Sequence, residues 1–208
     1  GNNTTGSSNV AIGRLALRSN TTASNNTAVG YQSLYLNTTG DNSVAVGNQA
    51  LYANTTGRFN TAVGHLTGAS VTTGTFNTLS GGIAGDAITT GSENTVVGYN
   101  ALSAGVASFF NTAVGKDALG ADTTGRHSVA IGRATLANQN NTTSNNMFNT
   151  AVGSNAGNAI TTGTQNTLIG GQAGDALTDT DFNVAVGYSA LSSDTRGSGS
   201  VAIGTQAL

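Results

Sequence analysis

Apolar and polar positions recur along this chain every 17 residues, marked by a glycine that closes a pentapeptide such as Asn26-Thr-Ala-Val-Gly30. The glycine stands at Gly13, Gly30, Gly47, Gly64, Gly81, Gly98, Gly115 and Gly132, and after one interval of 21 at Gly153, Gly170, Gly187 and Gly204. A fixed period of this length predicts a stacked architecture, in which each repeat buries its apolar face only against its neighbours. The pattern covers residues 1–208 and predicts a single all-β domain, a parallel β-roll or β-solenoid of about twelve coils. The coils are numbered here by their glycines, coil 1 at Gly13 to coil 12 at Gly204, and positions are counted from the glycine.

Position −1 is β-branched in eleven coils, from Ile12 and Val29 to Ile203, with Ser80 the exception; position −3 is Thr or Val throughout. The two share one face of a strand, because side chains alternate with period two. The residue between them is never polar: nine alanines, Leu79, Val96 and Leu168. A lone solenoid needs one apolar face per strand, so this second apolar face predicts a cover, most simply another subunit. The candidate subunit interface is therefore Ala28, Ala45, Ala62, Ala113, Ala151 and Ala185.

Position −4 is Asn in nine coils and Ser at Ser43, Ser128 and Ser200. Stacked identical amides bond up a ladder, which makes this column structural. The repeat glycine supplies a positive φ or a close backbone approach where the strand ends. A second short strand is expected after it, with Leu at +4 in eight coils (Leu17, Leu34, Leu51, Leu102, Leu119, Leu136, Leu191, Leu208). The other four have Gly68, Gly85, Gly157 and Gly174, and carry Val71, Ile88, Ile160 and Leu177 three residues later. The apolar group moves within the rung, as a core of conserved volume requires. Thr-Thr-Gly turns such as Thr38–Gly40 close the coil, and a four-residue insertion falls near 137–147, on a side loop. At ~4.8 Å per coil the rod is on the order of 55 Å long.

Composition adds mostly exclusions. With 8% charged residues and a net charge of −2, the chain lacks the basic footprint of a nucleic-acid partner or an anionic membrane. No apolar run reaches the ~20 residues of a membrane span, so no membrane insertion by this segment is expected. Cysteine and proline are both absent, which removes disulfides and thiolate metal sites and suits strands whose N–H groups are all used. The chain starts and stops in mid-pattern, which reads as a fragment of a longer fibre protein.

Ser43-Val-Ala-Val-Gly47, Ser128-Val-Ala-Ile-Gly132 and Ser200-Val-Ala-Ile-Gly204 resemble the repeated signature of YadA-like head domains of trimeric autotransporter adhesins. The remaining copies, such as Asn26-Thr-Ala-Val-Gly-Tyr-Gln-Ser-Leu34, are similar to repeats of bacterial surface fibres and phage tail fibres. The resemblance spans all twelve coils. It implies a left-handed parallel β-roll, three copies of which pack side by side into a non-enzymatic adhesive head. The 17-residue period exceeds the roughly 14-residue rung of such heads. The family's neck, coiled-coil stalk and membrane anchor have no counterpart in this sequence.

Candidate chemistry is sparse. His65 and His127 occupy different phases of the repeat, and Glu93 is the one glutamate, so no catalytic set and no cofactor are expected. Gly81-Gly-Ile-Ala-Gly-Asp86 and Gly170-Gly-Gln-Ala-Gly-Asp175 faintly resemble calcium-binding nonapeptides, but they lie five rungs apart; Asp86 and Asp175 read as solvated turn residues, with no metal. Stacked threonines suggest ice binding, but each Thr-Thr pair can point only one hydroxyl outward and the column breaks at Val106 and Asn140. Asn37-Thr-Thr and Asn54-Thr-Thr are sequons produced by the repeat itself. Phe59, Phe76, Phe110, Phe148 and Phe182 precede the pentapeptide and are expected to pack at the turn or between subunits. Tyr31, Tyr99 and Tyr188, in one column with Lys116 and Arg133, form the candidate ligand surface. The expected function is the head or shaft of an extracellular homotrimeric fibre, on a cell surface or virion tail, that attaches to a host-surface or matrix macromolecule. The alternatives are a phage tail-fibre shaft and an ice-binding solenoid.

Overall fold

The structure, a computed structural model, describes residues 2–140, 142 and 146–208. Of the insertion, residues 141 and 143–145 lie outside the described residues. Each coil contributes one three-residue strand: β1 Val10–Ile12, β2 Thr27–Val29, β3 Val44–Val46, β4 Thr61–Val63, β5 Thr78–Ser80, β6 Thr95–Val97, β7 Thr112–Val114, β8 Val129–Ile131, β9 Thr150–Val152, β10 Thr167–Ile169, β11 Val184–Val186 and β12 Val201–Ile203. They form one parallel sheet in sequence order, like position on like position, as in Thr27↔Val44, Ala28↔Ala45 and Val29↔Val46. The insertion leaves this register intact, with Ala130 opposite Ala151. The protein is a β-solenoid with coils of about 17 residues, as the period predicts.

The expected second strand does not form. Residues 31–36 are turn, because Gln32 and Leu34 hold φ of 54° and 47° and bend the chain twice. Left-handed backbone costs an L-residue roughly 1–2 kcal/mol, whereas burying a leucine returns about 1.5–3 kcal/mol. That balance suits the seven coils in which the leucine at +4 is buried; Leu208, in the last coil, is exposed. The turn backbone still bonds between coils: Leu34 N–H donates to Ala50 O at 3.0 Å, and Gln49 N–H to Tyr31 O at 2.8 Å.

The repeat glycines have φ of 123–140°, a region closed to L side chains. They also lie against one another: a Cβ on Gly13 would stand 2.6 Å from the carbonyl oxygen of Gly30. Both constraints require glycine, as the sequence indicated.

The core is a narrow stack. Away from the two end coils, alanines at −2, small residues at +3, Leu34, Leu51, Leu102, Leu119 and Leu136, and the displaced Val71, Ile88, Ile160 and Leu177 are all fully buried. Asparagines line its polar side in two ladders. Asn77 donates from Nδ2 to Asn60 Oδ1 at 3.1 Å and to Gly91 O at 2.9 Å, while its backbone N–H also reaches Asn60 Oδ1. At +7, Asn54 Nδ2 donates to Asn37 Oδ1 at 2.9 Å. This second ladder ends where Val71 replaces Asn in the next coil, and Asn54 Oδ1 is left buried without a donor.

The strand faces are the reverse of the sequence expectation. Ala28, Ala45, Ala62, Ala113, Ala151 and Ala185 are 0% exposed in the single chain, so they cannot meet another subunit. Coil walls lie close together, so the position between the strand and the turn opposite holds alanine in nine coils and a larger side chain only at Leu79, Val96 and Leu168. The larger β-branched residues at −1 and −3 point outward.

Candidate interaction surfaces

The outward face of the sheet carries Thr or Val at −3 and Val or Ile at −1, except Ser80 in coil 5, with no charge on any coil. In mid-rod Val63, Ile131 and Ile169 remain 43%, 39% and 42% exposed. The β-branched methyls form a strip along the rod, interrupted at coil 5 by Thr78 and Ser80, of the kind that marks an interaction surface.

Position −5 borders the strip on one side. It is left-handed in every coil, with φ of 58° at Phe76 and 51° at Phe148. Aromatic rings here stack along the axis: Phe59 on Phe76 at 5.0 Å, Phe110 on His127 at 4.9 Å, and His127 on Phe148 at 5.1 Å. The expectation that these phenylalanines sit at a turn is met, yet all five are 43–57% exposed.

Position +1 borders the strip on the other side and holds the candidate ligand residues Tyr31, Tyr99, Tyr188, Lys116 and Arg133, all exposed. Lys116 Nζ lies 6.0 Å from the Tyr99 ring centre and 3.7 Å from the Asp117 carboxylate. Arg14 covers Tyr31 at 5.8 Å. Tyr99, Lys116 and Arg133 occupy consecutive coils, whereas Tyr31 stands four coils, or about 19 Å, from Tyr99. The five therefore share a column without forming one pocket. A second aromatic group lies at +5, where Tyr35 stacks on Tyr52 at 5.2 Å and accepts a 2.7 Å hydrogen bond from Arg18 Nη1.

His65 at +1 and His127 at −5 stand on opposite borders of the strip, four coils apart. Among the described residues, no three His, Cys, Asp or Glu side chains converge as metal ligands would. Among the described residues, no helix is long and apolar enough to cross a membrane. Asp86 and Asp175 are not freely solvated: both are half-buried, and one oxygen of each is buried without a hydrogen-bond partner. Loss of water raises both carboxyls above the usual range, against backbone N–H groups that lower them. The sequons at Asn37 and Asn54 are unusable in the folded chain, because both amides are fully buried and donating.

On the turn side the two threonines of each pair divide their roles. Thr38 Oγ1 donates to Thr55 O at 3.0 Å, and Thr55 Oγ1 to Thr72 O at 3.1 Å, so position +8 stitches coils together. Position +9 is exposed in five consecutive coils, at Thr22, Thr39, Thr56, Thr73 and Thr90.

Sequence reasoning missed the polar group beside the insertion. There Gln139 Nε2 donates to Asp122 Oδ2 at 2.6 Å, and Asn149 Nδ2 donates to Gln139 Oε1 at 3.0 Å, all fully buried. The signal was present as Asp122 and Gln139 standing at +7, where earlier coils place Asn. The fold and its surfaces define a β-solenoid repeat protein. Against known protein families, curated proteins and solved structures the chain finds no match.

Proposed function

We propose that this chain is a stiff, non-enzymatic segment of an extracellular homotrimeric fibre, its roll left-handed, which presents a binding surface to a host-cell or matrix macromolecule. The observation that carries the reading is the uncovered strip at −3 and −1, flanked by the aromatic column. Over eleven steps of ~4.8 Å and the about 16 Å from −5 to −1, strip and aromatic column together offer roughly 800 Å². A standard stable interface uses about 800 Å² per partner. A partner that follows a 4.8 Å repeat without charges needs the same repeat, and another copy of this chain has it. The column at +1, rich in tyrosine and cations, edges the same strip, so a ligand would meet it at the seam between copies. A phage tail-fibre shaft would use the same surfaces.

The test is solution mass by light scattering at low micromolar concentration. A mass near three times 20.5 kDa supports the reading, and a clean monomer sinks it. Val63→Lys with Val97→Lys, on the exposed strip, is expected to reduce the assembly to single chains with unchanged circular dichroism.

The five exposed threonines at +9 favour a second reading, a hydroxyl and methyl array that binds ice. Thermal hysteresis by a monomeric chain would select it.

A further inference from the structure

The aromatic column at −5 is unexplained within one chain. Left-handed backbone is inexpensive for Asn25 and Asn42 of this column but costs a bulky residue roughly 1–2 kcal/mol. Phe182 adopts it with 57% of its surface exposed and no aromatic neighbour in either adjacent coil. Between Phe76 and Phe110 the column is broken by Glu93. There the surface sinks into a depression of about 370 Å³ lined by Phe76, Glu93 and Thr95.

Cyclic symmetry about an axis parallel to the rod determines what can enter it. Rotation without axial shift sets the −5 border of one copy against the +1 border of the next, at the same coil. The coil that carries Glu93 at −5 carries Tyr99 at +1, 57% exposed. We propose that Tyr99 of a second copy fills this depression, its ring against Phe76 and its hydroxyl donating to the Glu93 carboxylate. Copies then lie parallel, with coil matched to coil; the inference rests on the self-assembly proposed above.

A register key is needed because the strip at −3 and −1 hardly changes from coil to coil. A slip of one coil, ~4.8 Å, would preserve most of its contacts. Slipped one way, the depression would face Gly82 and stay empty. Slipped the other way, it would face Lys116, which already holds Asp117 and Tyr99 of its own chain. An antiparallel pair about the rod's midpoint would set Glu93 against Phe110, leaving the carboxylate on a ring with no donor.

The absence of cysteine allows a direct test. Glu93→Cys with Tyr99→Cys places two thiols on opposite borders of one chain, about 20 Å apart along an extended backbone. That is too far for an internal disulfide, which needs Cα atoms about 4.4–6.8 Å apart. On mild oxidation most of the chain is expected to run as covalent multimers in denaturing gels. Glu93→Cys with Lys116→Cys, one coil out of step, is expected to stay single. Light scattering of each variant before oxidation establishes that it assembles as the unsubstituted chain does. The proposal is overturned if the out-of-step pair links instead, or if neither links in an assembled protein. A monomeric unsubstituted chain would overturn the self-assembly reading itself.

Discussion

Leu79 Cδ1 lies 2.6 Å from where a Cβ on Gly68 would stand, and its other methyl lies 3.1 Å from the equivalent point on Gly85. Leu79 at −2, together with Val71 and Ile88 at +7, thus fills the space that two leucines at +4 fill elsewhere. Leu168 does the same between Gly157 and Gly174, each 2.7 Å from one of its methyls. Each pair of glycine coils is a repacked core in which bulk has crossed from the turn to the strand.

Core coupling follows directly. Leu79→Ala leaves a void in a stack without slack and is expected to cost about 2–5 kcal/mol. Gly68→Leu alone overfills the same space and destabilises as well. Together the two changes restore an alanine at −2 and a leucine at +4, so the double variant is expected to lose at least 1 kcal/mol less than the sum. Denaturant unfolding of the four proteins measures this, and simple additivity would refute the shared-space account.

The repeat glycine admits nothing else. Gly115 has φ of 132°, and a Cβ there would collide with the carbonyl oxygen of Gly132. Gly115→Ala is expected to lower stability by at least about 2 kcal/mol, more than alanine at a left-handed turn position. A thermal melt shifted no further than that of Gln32→Ala would contradict this.

Much of the fold was legible because the glycine column runs through all twelve coils, broken only by one four-residue insertion. The orientation of the strand was not. Alternation with period two says that Thr27 and Val29 share a face opposite Ala28, but not which face is inside. The more hydrophobic pair looked like core; the coil reverses that, with Ala28 and Leu34 fully buried and Thr27 and Val29 only partly covered. The second strand failed for a different reason, because Leu34 has no preference for left-handed backbone and gives no local sign of it. On the surface, the phase of Tyr99 and Lys116 could be read from spacing. The depression beside Glu93 depends on how neighbouring rings stack, which spacing alone does not specify.

The asparagine ladder predicts a graded response. Asn77→Ala removes donors to Asn60 Oδ1 and Gly91 O and an acceptor used by Asn94. Buried groups left unpaired cost about 1–3 kcal/mol each. Asn77→Ser is expected to lose less, since Ser43 and Ser128 already occupy this column and Ser43 Oγ accepts from Asn60 N–H at 3.3 Å. Chemical denaturation should rank the three chains native, Ser, Ala, and a reversed order for the two variants would argue against a structural ladder.

Acid titration should separate two kinds of aspartate. Loss of water at Asp86 and Asp175 raises their carboxyls in the folded chain, so the uncharged form is the better fit. The stability they contribute is present below the unfolded value of about 3.9 and is lost as pH rises through the folded value. Asp194 is the opposite case: N–H groups of Arg196, at 2.9 Å, and Gly197, at 2.8 Å, hold its carboxylate and lower it. Its contribution is present above the unfolded value and is lost as pH falls through the folded one. Asp86→Asn with Asp175→Asn is therefore expected to raise the melting temperature at pH 7 and change little at pH 3. Asp194→Asn is expected to lower it at pH 7, with the loss fading towards pH 3. Melts of both variants between pH 2.5 and 7 decide the matter, and shifts of the same sign at pH 7 would refute the assigned environments.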